Sequence, residues 1–335
     1  MRRTISILVA LVLMLALVPS TAVLAAESGS STGSFSVGGA APHVTDLEVY
    51  SDAGLTTVAA HMTPQVLYYV KVTATDPNTL NDIKEIKLKV YYDASATHPD
   101  ESTITTGHEQ TAGIFTWTKA GSTWEVAAGG GVSWAVVSGS SVTPTMTAST
   151  GDWVFAIKLG KVATETISPA VWNMHARATD NADLTAGRYL DDKHVMWYGE
   201  VQISTPTVDF GEVPLGSGFG TDVNKVTGVS AKFVSNGDYH TNVKSAATWT
   251  GTSNNATLDP AGDCVNPNEF ALKCYHSDTY GSAYLVDATG VDCRDGAQTL
   301  ETGDSITTGT FWLKISAVFP TDSYSGSITF TIVNR

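Results

Sequence analysis

Between residues 84 and 93, Ile86, Leu88, Val90 and Tyr92 alternate with Glu85, Lys87 and Lys89. Period-two alternation over this length suits a chain whose successive side chains point to opposite faces, that is, a half-buried antiparallel strand. The pattern recurs. Residues 66–76 set Val66, Tyr68, Val70, Val72 and Ala74 on one side. Trp153, Phe155, Ile157 and Leu159 make a third apolar face, and Trp172, Met174, Ala176 and Ala178 a fourth. The chain is rich in Thr, Ser, Gly, Val and Tyr and poor in Lys and Glu, a mix that favours strands and turns over helices. The expected fold class is all-β.

The N-terminus follows another logic. Arg2 and Arg3 precede an apolar run from 5 to 18, which is shorter than a membrane span, and Pro19 ends it. Val23 and Ala25 then occupy the −3 and −1 positions of a cleavage site, with a second site after Ala26. Residues 1–26 are thus expected to be a secretory signal peptide. The arginine pair lacks the twin-arginine context, no Cys follows the apolar run, and no apolar tail precedes Arg335. The mature protein is expected to be secreted or held at the cell surface, with no membrane span. Residues 27–41, ESGSSTGSFSVGGAA, read as a Ser/Gly-rich linker, or as an arm that adds a strand to a neighbouring subunit through Phe35 and Val37.

About 310 mature residues suffice for two domains with separate cores. Loss of Arg2 and Arg3 leaves 17 of the 19 basic side chains against 33 acidic ones, a net charge near −16. Such a charge argues against nucleic acid as a partner and suits solubility or divalent cations. The expected division is a first domain over 42–203, with an insertion at 94–150, and a second over 204–335. In the second, strands are expected at 229–235, 241–249, 270–275, 311–319 and 327–333, with a hairpin turn at Asn236-Gly237-Asp238.

Two strands of the first domain end alike, in Ala-Thr-Asp at 74–76 and again at 178–180. VKVTATDPNTLNDIKEIKLKVYYD, followed by WNMHARATDNADLTAG, resembles the immunoglobulin-like sandwich of prokaryotic surface proteins. VDFGEVPLGS resembles the strand-and-turn that opens surface-associated sandwich domains, and YSGSITFTIVN is similar to the last strand of non-enzymatic surface modules. The resemblance implies two antiparallel immunoglobulin-like β-sandwich domains in tandem. The Cys–Trp–Cys core of antibody domains is not present.

Candidate sites are few. Asp76, Asn78, Asn81 and Asp82 crowd oxygen atoms into one turn, and Asp180, Asn181 and Asp183 into another; brought to one end of a sandwich they would suit Ca2+, although Asp and Asn are also ordinary turn formers. No other cofactor is implied. Trp117, Trp124 and Trp134 lie in the insertion, either packing over an open side of the sandwich or forming a platform for a polysaccharide. Cys264, Cys274 and Cys293 permit one disulfide of open connectivity. Asn255-Ala256-Thr257 is a glycosylation sequon. His108-Glu109 lacks the second His of a zincin, the glycines at 216–220 lack nucleotide-loop spacing, and no nucleophile elbow is present. These features point to a non-catalytic structural or adhesive surface protein, a self-assembling filament, sheath or surface-layer component whose partners are its own copies or other surface proteins. The alternatives are a carbohydrate-binding protein using the Trp-rich insertion and a secreted hydrolase with a carboxylate site.

Overall fold

The computed structural model describes residues 39–94, 104–127 and 131–335; the expected signal peptide and residues 27–38 of the expected linker lie outside these. Among the described residues the chain is all-β, and no helix is long and apolar enough to cross a membrane. The strands of the N-terminal part are β1 (His43–Tyr50), β2 (His61–Met62), β3 (Leu67–Thr75), β4 (Ile83–Asp93), β5 (Ala112–Thr118), β6 (Thr123–Val126), β7 (Ala135–Val136), β8 (Thr150–Lys158), β9 (Val171–Asp180) and β10 (Thr185–Val195). Those that follow are β11 (Gly199–Ile203), β12 (Lys225–Ser235), β13 (Tyr239–Ser245), β14 (Thr248–Thr250), β15 (Asn255–Leu258), β16 (Glu269–Tyr275), β17 (Tyr284–Val286), β18 (Val291–Gly296), β19 (Asp304–Ile315) and β20 (Ile328–Asn334).

They form four sheets. The first has the order β1-β3-β8-β7 and the second β2-β10-β9-β4-β5-β6. The third runs β11-β12-β19-β16-β15-β14, with β17 also on β16, and the fourth β18-β13-β20. Pairing is antiparallel except between β2 and β10 and between β15 and β16.

The alternation expected from the sequence is carried into the core. Along β3 every second side chain, Tyr68, Val70, Val72 and Ala74, is buried. These residues, with Trp153, Phe155 and Ile157 of β8, meet Ile86, Leu88 and Val90 of β4 and Trp172, Met174, Ala176 and Ala178 of β9 in one core. The first two sheets therefore pack face to face. Strand β9, flanked by β10 and β4, is covered on both sides: its other face buries Asn173, His175 and Thr179. The insertion completes both sheets, its β5–β6 hairpin lying beside β4 and its β7 beside β8.

The C-terminal part builds its own interior from Val243, Trp249, Phe270, Leu272, Phe311, Leu313 and Ile315. A smaller cluster of Ala231, Phe233 and Tyr239 packs against Trp197, Val201 and Ile332.

Several expectations are corrected here. Residues 199–203 do not end the N-terminal part, because β11 pairs with β12 along its length; a short strand has no sheet preference of its own. Residues 208–217 form no strand, and their apolar side chains line a cavity instead. The strand expected at 241–249 breaks into β13 and β14, which join different sheets, and that expected at 311–319 stops at Ile315. Asn236-Gly237-Asp238 is no hairpin turn: it carries the chain from β12 to β13 in another sheet, and Gly237 does not take a positive φ.

The turn between β14 and β15 shows how a single carboxylate organises loop backbone. Asp322 accepts hydrogen bonds from the amides of Thr252 (3.1 Å), Ser253 (2.7 Å) and Asn254 (3.0 Å). These amides, that of Ser253 foremost, hold its pKa down to about 2. A carboxylate depressed in the folded state stabilises above its unfolded pKa of about 4, and the contribution disappears as pH falls through the folded value. The Asp322 contribution is therefore complete at neutral pH and is lost between about pH 4 and pH 2. Carboxyl-detected NMR should find its titration midpoint near 2; a midpoint near 4 would show that the amides do not hold it.

Candidate metal centre

Strand pairing decides whether the two Asx-rich turns meet. β4 runs antiparallel to β9 with Ile83 opposite Asp180, so the start of one and the end of the other share an edge of the fold. The turn leading into β4, residues 76–82, comes from β3 in the facing sheet. Both turns thus lie at one end of the sheet pair. Asn181 fastens them together: its amide donates to the Asp82 carbonyl (2.8 Å), and its side-chain nitrogen to Asp82 Oδ1 (2.9 Å).

Carboxylate oxygens of Asp76, Asp82 and Asp180 all lie within 4.8 Å of one another. Asp76 and Asp180 are 1% and 0% exposed, and Asp82 is half-buried. One oxygen of each buried carboxylate is held by backbone. Asp76 Oδ1 accepts from the Asn78 amide (2.7 Å), and Asp180 Oδ1 from the amides of Ala182 (2.9 Å) and Leu184 (2.8 Å). The other oxygens, Asp76 Oδ2 and Asp180 Oδ2, are buried and have no hydrogen-bond partner among the described residues. Asn78 Nδ2 donates to Asp82 Oδ2 (3.3 Å). A Cβ added at Gly39 would meet Asp180 Oδ2 at 3.9 Å and Asn78 Nδ2 at 3.8 Å, so backbone lies against the cluster. Burial, reinforced by the charges of Asp82 and Asp180, outweighs the Asn78 amide and pushes the Asp76 pKa up.

Of the seven residues expected to offer oxygen, three converge. Asn78 and Asn181 orient carboxylates through their side-chain nitrogens. Asn81 is exposed and its carbonyl accepts from Lys119, while Asp183 is paired with Lys84. Those two cations share the end of the fold with the cluster.

The Trp residues of the insertion point inward. Trp117 is 1% and Trp134 4% exposed. Trp117 meets Trp153 edge-on at 5.3 Å, and half-buried Trp124 meets Phe155 at 4.8 Å. Trp134 sits between Gly113 and Gly160, where an added Cβ would lie 2.4 Å and 2.5 Å from its ring, and it donates from Nε1 to the Glu109 carbonyl. These rings pack the core; Trp117 and Trp134 offer no face to a polysaccharide. Alternation could have placed Trp117 on the inward face of its strand, but its spacing from Trp124 carried no such signal.

The thiols of Cys274 in β16 and Cys293 in β18 stand 2.8 Å apart, both buried, across the third and fourth sheets. Cys264 is buried elsewhere, its Sγ facing the Lys314 carbonyl at 3.8 Å. Asn255, in the sequon, is exposed. A cavity of about 660 Å³ lies between the 208–215 segment and the C-terminal core, lined by Phe210, Trp249, Phe270, Phe319 and Tyr324. Sequence reasoning missed it because Phe210 and Val213 read as strand residues.

No family model and no curated protein matches this chain. Among solved structures it is similar to a 35 kDa C-terminal fragment of the major pilin GBS80 of Streptococcus agalactiae, at 9% identity and a TM-score of 0.23, over 78% of this chain and 81% of that one.

Proposed function

We propose that the chain is a non-catalytic structural component of a cell surface, exported by its signal peptide and built as two immunoglobulin-like sandwiches in tandem. One observation carries this reading: the N- and C-terminal parts are joined by a polar seam that is buried at Asn236 and part-buried around it. Asn236, fully buried, donates from Nδ2 to the carbonyls of Ala163 (2.8 Å) and Met196 (2.9 Å) and accepts from the Tyr198 amide (2.6 Å). Gln298 donates to the Val162 carbonyl and to Thr164, and Gln110 to the Thr299 carbonyl. Glu301 accepts from the Ser133 amide, and Lys161 pairs with Glu200 at 2.8 Å. Hinged domains commonly leave small, wet interfaces. A seam this well satisfied makes a stiff unit, which suits load-bearing or repetitive assembly more than opening and closing on a substrate.

Self-assembly is the form of this function that the edges support. Among the described residues the edges at β2, β6 and β7 are only two to four residues long, which blunts casual pairing, and Thr250 of the short edge strand β14 is already bonded to Ser325. β1, β18 and β20 are longer edge strands. Light scattering on the mature chain over a wide concentration range should show particle size growing with concentration. A monomer at every concentration would remove self-assembly and leave docking on other surface proteins.

A further inference from the structure

The paired turns present a feature that folding alone does not account for. Two carboxylates are removed from water, each holding one oxygen with backbone amides and leaving the other without a donor among the described residues. Burying an unsatisfied charged oxygen is costly, and burying two side by side costs more through their repulsion. A bound cation reverses both penalties. From this geometry we infer that Asp76, Asp82 and Asp180 bind one Ca2+ ion, which clamps the 76–82 turn to the β9–β10 turn.

The donor set decides the kind of ion. All three ligands are carboxylate oxygens, with no imidazole or thiolate among them, which selects a hard cation over zinc or copper. Oxygens bound to one Ca2+ at about 2.4 Å lie at most about 4.8 Å apart, and the present spacing falls within that limit. Ca2+ also tolerates irregular ligand geometry drawn from separate loops and completes its shell with water, for which half-buried Asp82 leaves a solvent side. Mg2+ requires a near-octahedral shell at shorter distances. Asn78 and Asn181 set the orientation of the Asp82 carboxylate.

The test uses the mature chain, first stripped of metal by chelation. Calorimetric titration with CaCl2 should give one site of Kd between about 10⁻⁵ and 10⁻³ M, and saturating Ca2+ should raise Tm by about 5 °C or more. Asp76→Asn and Asp180→Asn keep the backbone hydrogen bonds at Oδ1 but remove the buried charge. Without metal, each should be at least as stable as the parent chain, and each should lose its Ca2+ response by about tenfold or more in Kd. Asp82→Asn, at the half-buried position, gives up one of the two oxygens that accept from Asn78 and Asn181 and should weaken binding in the same direction. The inference is overturned if the parent chain shows neither heat nor Tm shift with Ca2+, if the variants respond as the parent does, or if Mg2+ binds more tightly than Ca2+. None of these readings depends on assembly, so they stand apart from the light-scattering result.

Discussion

Asn236→Ala is expected to destabilise the folded chain by ~4 kcal/mol, although it removes only a small polar side chain. The side chain makes three hydrogen bonds at a position with no solvent access. Its loss leaves the buried Ala163 carbonyl and the part-buried Met196 carbonyl and Tyr198 amide without this partner, each at a cost of up to about 1–3 kcal/mol before local relaxation. Asn236→Asp should be worse at neutral pH, because a carboxylate would then face the carbonyls of Ala163 and Met196 with no donor between them. Since these bonds tie residues 163–198 to the start of the C-terminal sheets, the loss should also uncouple the two parts. Urea unfolding followed by Trp fluorescence and by far-UV circular dichroism tests this. The parent chain should give coincident transitions, and the alanine variant separated ones at lower midpoints. A variant that unfolds with the parent's midpoint would show that the seam is not what joins the parts.

The second large effect concerns the thiols. In an oxidising compartment, Cys274 and Cys293 are expected to form a disulfide that links the third sheet to the fourth. Each thiol gives up a proton, the pair passes two electrons to the disulfide of an oxidising partner, and that partner leaves as a dithiol. The contact excludes pairings with Cys264, whose sulfur faces the Lys314 carbonyl. The closed loop spans 19 residues of sequence, for which loop-closure entropy corresponds to about 3 kcal/mol. Neighbouring Cys293 and burial push the Cys274 thiol pKa well up, so the reduced pair exchanges slowly once folded and the bond should form during folding. Peptide mapping of protein from an oxidising compartment should recover 274 linked to 293 and Cys264 as a thiol. Reduction, or Cys293→Ser, should lower Tm by several degrees. Recovery of a 264–274 link, or of three free thiols, would contradict the expectation.

Legibility in the sequence followed the range of each interaction. Tyr68, Val70, Val72 and Ala74 were readable as one face because strand alternation is local, and they are buried as one face. The two acidic turns were readable because Asp and Asn bond the backbone next to them, as Asp76 does to Asn78 and Asp180 to Ala182. By contrast, β11 was assigned to the wrong part, since nothing in five residues says which sheet a strand will join. Asn236-Gly237 looked like a hairpin for a similar reason. The dipeptide reports a change of direction, while the partners of its side chain lie 40 and 73 residues away.

By itself, then, the sequence determined the strand class, the inward faces and the two carboxylate-bearing turns, all properties set by neighbours along the chain. Only the tertiary structure decided that β4 pairs with β9, and so that Asp76, Asp82 and Asp180 meet while Asn81 and Asp183 turn away. It likewise decided that Cys293 rather than Cys264 faces Cys274, and that the Trp rings of the insertion fill the core. The reason is the same in each case. Alternation and turn chemistry act over a few residues, whereas convergence at a site depends on register between strands whose order in space differs from their order in the chain.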